Sequence, residues 1–139
     1  MSENHIRAIS TTLSLLDEAV CEFEAWSKGH EIRSVLYEVR NELSSEQRHA
    51  ISAEIAEIQT MLRKLRDELH LDGHVKSVEK MIIAACTVMW INLTELERKH
   101  LRRYGDVPPE LAEYLDPKVA ELNRRVQHIS DIVTRRWTR

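Results

Sequence analysis

Glycine, proline and aromatic residues are scarce in this 139-residue chain, and their scarcity limits the fold classes that the chain can adopt. The chain contains 3 Gly, 3 Pro, 1 Phe, 3 Tyr and 3 Trp. An all-β chain needs turn residues between many short strands and draws on aromatic side chains for its core. Three glycines are also too few to build a phosphate-binding or dinucleotide-binding loop. The sequence therefore predicts an all-α protein.

A long apolar run, paired cysteines and a strong net charge are also lacking. The most apolar stretch, Met81 to Leu93, is much shorter than the roughly 20 residues that a bilayer span requires. Cys21 and Cys86 lie inside apolar helical patterns rather than in a CxxC motif, which is typical of a reducing compartment. A net charge of −3 produces no field that would attract nucleic acid or an anionic membrane. We expect a cytoplasmic protein with no membrane segment and no cofactor.

Apolar residues recur at steps of three and four over most of the chain, and this spacing places them on one face of a helix. The pattern predicts long helices around residues 6–23, 51–69, 74–104 and 119–137. Helix ends are expected at Gly29, Asp72–Gly73 and Gly105, and Asp116–Pro117 has the form of a helix start. The sequence predicts a single domain over residues 1–139, an up-and-down antiparallel bundle of four main helices.

A further stripe, Ile32, Leu36, Val39 and Leu43, leaves the number of helices open. Ser44 and Gln47 follow it with the spacing of a capping box, so a separate helix is one interpretation and the bundle then has five helices. The other interpretation is one long helix over residues 31–71 with a phase shift in its apolar stripe.

The segment from Met81 to Ile91 is apolar on every side, although a bundle helix needs to bury only one stripe. A soluble protein rarely leaves such a helix partly exposed, so a second copy of the chain or the Ile32–Leu43 segment must cover it. We therefore expect a homodimer whose function is protein–protein interaction or regulation. The expected interface residues are Ile83, Thr87, Trp90 and Ile91, with Trp26 as an outlying candidate.

Two alternative functions rest on side-chain clusters. Asp67, His70 and His74 would share a face if they were helical and could bind a metal such as Zn²⁺. Glu97 and His100 have the spacing of a Glu-x-x-His ligand pair, which indicates a second candidate metal or ligand site.

The second alternative is an association with nucleic acid. Basic residues cluster at Arg98, Lys99, Arg102 and Arg103, and again at Arg124, Arg125, Arg135, Arg136 and Arg139. Such clusters form phosphate-contacting surfaces in nucleic-acid-binding proteins. They also complement the dipole at the end of a helix, which needs no ligand.

Overall fold

The computed structural model describes residues 1–134 and confirms the all-α class, with 75% of the chain in helices. The chain forms two compact units, Met1–His74 and the part from Val75 onward. Its elements are α1 (Glu3–Ser27), β1 (Ile32–Arg33), β2 (Glu38–Val39), α2 (Ser45–Leu69), α3 (Val78–Thr94), α4 (Arg98–Leu101), a 3-10 turn (Arg102–Tyr104) and α5 (Pro109–Thr134). No helix in this described part is both long enough and apolar enough to cross a membrane.

The first unit is an antiparallel pair of helices, α1 and α2. Val20 on α1 and Ile55 on α2 are its buried side chains, at 0% and 5% exposure. The Gln59 amide donates to the Glu24 carboxylate across the pair at 3.2 Å. Lys28 also donates to Glu24, and these two hydrogen bonds, the Lys28 bond first, lower the pKa of that carboxyl.

The segment from Ile32 to Leu43, predicted as a helix, is instead a small β-hairpin. Ile32 pairs with Val39, and the Ser34 N–H donates to the Tyr37 carbonyl at 3.0 Å to close the turn. Its apolar side chains at the turn, Val35 and Leu36, are 93% and 96% exposed. The helical prediction failed here because a stripe of four apolar residues over so short a segment does not separate helix from strand.

Asn41 anchors this hairpin to the end of α1. Its side-chain amide donates to the carbonyls of Trp26 and His30, at 2.7 and 3.2 Å. A new helix then begins after Ser44, whose hydroxyl accepts from the Gln47 N–H while the Gln47 side chain accepts from the Ser44 N–H. The capping box is therefore confirmed, and α2 is a separate helix rather than part of a longer one.

The two helices of the first unit end differently. Gly29, with a φ of 86°, follows the end of α1 as predicted. The helix α2 ends at Leu69, before the predicted Asp72–Gly73 stop, because His70 itself adopts the left-handed conformation. The Leu71 N–H then donates to the Arg66 carbonyl at 2.9 Å, which satisfies one of the free carbonyls at the helix end.

In the second unit α3 packs on α5, and Ala112 and Val119 on α5 are buried within its described residues. The helix predicted to extend to Tyr104 ends at Thr94, and the chain re-forms a helical turn at α4. The last helix begins at Pro109 and continues through Pro117, so the predicted start at Asp116–Pro117 is wrong. The Asp116 carboxylate instead accepts a hydrogen bond from the Arg98 N–H at 3.2 Å and caps α4, whose own N-cap residue makes no side-chain capping bond.

Candidate interaction surface

Two sides of α3 differ in what they contact. Ile82, Cys86 and Leu93 are half-buried and share one side by their spacing, and this side packs on α5. Turned away from it is a second row, Met81, Ala84, Val88 and Ile91, at steps of three, four and three. We call this row the outer face of α3. Its spacing is that of a coiled-coil seam, in which each side chain meets a neighbouring helix.

The outer face and its surroundings are apolar and exposed. No residue of α3 is buried, although the helix carries only two charged side chains, Glu79 and Lys80. Val78, Met81, Val88, Met89, Trp90 and Ile91 are each between 45% and 68% exposed. Of these six, Met81, Val88 and Ile91 belong to the outer face, where they present on the order of 300 Å² of surface, given that one fully exposed large side chain carries about 150–250 Å². Patches of this size on soluble proteins mark interaction sites.

The residues predicted for the interface lie at different distances from the outer face. Ile91 belongs to it, and Thr87 lies beside it, exposed. Trp90 is spaced four residues from Cys86 and three from Leu93, so it lies on the side of α3 that faces α5, although it is 49% exposed. Ile83 is half-buried, and its carbonyl accepts a hydrogen bond from the Thr87 hydroxyl at 3.0 Å. Trp26 lies in the other compact unit, where its ring is 5.7 Å from that of Phe23.

Sequence reasoning missed three members of the outer face, Met81, Ala84 and Val88. Their three-four spacing was present in the sequence. The sequence did not single out this row, because the row that faces α5 has the same three-four spacing. A helix that is apolar on all sides therefore shows no preferred side in its sequence.

The residues predicted as a metal site do not form a ligand cluster. His70 is the left-handed residue after α2, Asp67 accepts from its neighbour Arg66 at 3.0 Å, and His74 lies 3.3 Å from the Ser10 hydroxyl. The helix ends between Asp67 and His70, so the shared helical face on which the site depended does not exist. Within residues 1–134, no three His, Cys, Asp or Glu side chains are arranged to hold a metal ion.

Glu97 and His100 lie in the α4 turn rather than in a long helix. Glu97 is the N-cap residue of α4. The His100 ring lies 3.8 Å from the Glu95 carboxylate and 3.1 Å from the Arg103 guanidinium. These contacts make a local charged network at the surface, and the geometry gives the pair no metal-ligand arrangement.

The basic residues predicted to contact nucleic acid are largely paired within the described part of the chain. Arg124 and Arg125 both donate to Glu121, and the bond from Arg124 is the main reason that the pKa of this carboxyl is lowered. Lys99 lies 3.7 Å from Glu97, and Arg103 pairs with Glu95. Arg135, Arg136 and Arg139 lie outside the described residues. The arrangement provides local ion pairs rather than a row of free cations.

Comparison of the chain with protein-family models, with curated proteins and with solved structures found no match.

Proposed function

We propose that this protein is a non-catalytic helical interaction module that acts as a homodimer through the outer face of α3. The observation that carries the proposal is that α3 is apolar on all sides, packs on α5 with one side only, and buries none of its residues.

The sequence of the outer face suits a second copy of the chain. The row is symmetric about its midpoint, so an antiparallel pairing places Met81 against Ile91 of the partner subunit and Ala84 against Val88 of the partner subunit. Each contact then occurs twice, as a two-fold interface requires. Ala84 allows the two helices to approach closely, and the larger side chains fill the ends of the interface.

The cysteines support a reducing, cytoplasmic location for this module. Cys21 and Cys86 are both free, and Cys21 is exposed on α1. An oxidising compartment would expose that thiol to pairing with another chain.

Val88→Glu tests the proposal. Sedimentation equilibrium should find a dimer for the unaltered protein at about micromolar concentration, and a monomer for this variant. The substitution would bury one unpaired carboxylate per chain near the two-fold axis, which weakens association at least 100-fold if each costs a few kcal/mol. The matched control is Val35→Glu, at a side chain that is 93% exposed in the β-hairpin, and it should remain a dimer. A monomeric unaltered protein, or a dimeric Val88→Glu, refutes the proposal.

A second experiment covers the case in which Val88→Glu does not fold. Ala84→Cys and Val88→Cys are combined in a chain whose two native cysteines are replaced by serine. Mild oxidation should give a covalent dimer on a non-reducing gel, because residue 84 of one copy faces residue 88 of the other. Covalent dimers should not form when the introduced cysteines are on the side of α5, at Ile82 and Leu93. Equal yields from the two pairs would contradict the proposed face.

A further inference from the structure

A cavity of about 270 Å³ lies between α1 and α2, entirely within the first unit. Its floor is apolar, formed by Leu13, Leu62 and Leu71, and its rim is polar. The loop after α2 closes one end, where the Ser10 hydroxyl lies 3.4 Å from the Asp72 carbonyl and 3.3 Å from the His74 ring. The cavity is smaller than those that bind drug-sized ligands, and its size suits a small metabolite.

Unpaired charges of both signs line this cavity. Asp17 on α1 and Arg63 on α2 both border it, and neither makes a hydrogen bond or ion pair with any other residue of the described chain. Arg66, also on the rim, pairs only with its sequence neighbour Asp67. Both side chains are exposed, so neither charge is committed to a partner within the first unit and both are available to a ligand.

The register of the two helices places these charges on opposite walls. The bond between Glu24 and Gln59 and the contact of Ser10 with Asp72 mark two levels of the antiparallel pair. Asp17 is midway between Ser10 and Glu24 in the sequence, so it lies level with Arg66. Arg63 is one helical turn, about 5 Å, further along the groove. A ligand between the walls can therefore contact the carboxylate and a guanidinium at the same time.

We propose that this cavity binds a small zwitterion, an α-amino acid with an apolar side chain. The ammonium group would bind the Asp17 carboxylate, and the carboxylate would bind Arg63 through the paired N–H groups that guanidinium offers to carboxylates. The hydrocarbon side chain would rest on the leucine floor, where it is removed from water. Ser14 and Gln59 on the rim supply further hydrogen-bonding groups. This inference does not depend on the dimer proposed above, because the cavity lies within one unit of one chain.

Isothermal titration of the full chain with L-leucine tests it. We expect saturable binding to the unaltered protein, and at least tenfold weaker binding of both 4-methylpentanoate, which lacks the ammonium group, and 3-methylbutylamine, which lacks the carboxylate. Equal binding of leucine and 4-methylpentanoate would overturn the zwitterion assignment. Absence of saturable leucine binding at about 10 mM would overturn the site itself.

Two variants assign the contacts. Arg63→Gln should weaken leucine binding at least tenfold and leave the weak binding of 3-methylbutylamine unchanged, since the amine does not use the guanidinium. Asp17→Asn should show the reverse selectivity, with 4-methylpentanoate unaffected. Arg33→Gln, an exposed arginine in β1, is the matched control and should bind leucine as the unaltered protein does. Unchanged leucine affinity in Arg63→Gln or in Asp17→Asn would contradict the proposed contacts.

Discussion

Replacing Gly29 by alanine tests how α1 ends and how the chain turns toward the β-hairpin. Gly29 has a φ of 86°, a region that is costly for residues with a Cβ, and its N–H donates to the Trp26 carbonyl at 2.9 Å. A Cβ added there would lie 2.7 Å from a terminal nitrogen of the Arg48 guanidinium. The substitution therefore strains the backbone and also pushes on Arg48, whose Nε is buried without a hydrogen-bond partner.

The backbone contribution dominates the expected cost. An alanine in the left-handed region costs about 1–2 kcal/mol. The steric contribution is smaller, because the crowded atoms are at the end of a flexible side chain that can turn away. Urea unfolding followed by far-UV circular dichroism should therefore show a midpoint lowered by about 0.5–1 M, for an m-value of about 2 kcal/mol per M.

The same substitution at Gly73 is the matched control. Gly73 does not have a positive φ, and a Cβ there would meet nothing within 4 Å. Alanine at that position should leave the free energy of unfolding unchanged or raise it by about 0.4–1 kcal/mol, because it restricts the unfolded chain. The variant Gly29→Ala with Arg48→Ala then measures the steric contribution as a coupling energy. A Gly29→Ala protein as stable as Gly73→Ala would refute the requirement for a left-handed residue after α1.

Two further predictions concern charged side chains. Asp116→Ala should lower the free energy of unfolding by about 0.5–2 kcal/mol in urea titrations, because it removes the acceptor of the Arg98 N–H. Asp116→Asn keeps an acceptor and should recover most of this loss. Equal losses of stability in the two variants would contradict the cap. NMR titration of the Glu24 carboxyl should give a pKa below its ordinary value of 4.5, because Lys28 and then Gln59 donate to the ionised form. Since the folded pKa is the lower one, this stabilisation is present above pH 4.5 and is lost as the pH falls through the folded pKa. Glu24→Gln should remove that part of the acid dependence, and a measured pKa at or above 4.5 would contradict the hydrogen bonds.

Local signals in the sequence were sufficient where residues close in sequence satisfy a backbone requirement by themselves. The capping box at Ser44 and the glycine after α1 were both predicted at their observed positions, because each feature depends on residues within one turn of the helix end. The all-α class was predictable for a similar reason, since four long apolar stripes with few glycines and prolines are compatible with little else.

The sequence predictions failed where a tertiary contact competes with a local signal. Asp116–Pro117 has the form of a helix start, but the Asp116 carboxylate caps α4 instead, and the helix already began at Pro109. His70 ended α2 by adopting a left-handed conformation that glycine favours, although Gly73 was close by. The residue that Asp116 caps is many positions away in the sequence, and the conformation of His70 depends on the path of the chain after α2. The spacing of apolar residues predicts neither.

The outer face of α3 is another feature that the sequence pattern alone did not identify, and it concerns the function of the protein rather than its fold. The sequence of an apolar helix indicates that all its sides need to be covered, but it does not indicate which element or chain covers them. The fold removes half of that ambiguity, because the half-buried row at Ile82, Cys86 and Leu93 identifies the side taken by α5. The remaining row has the period of a second seam and is symmetric about its own centre. A second copy of the chain would satisfy both properties with one contact, and this is why we propose a dimer from the position of these residues rather than from their apolar character alone.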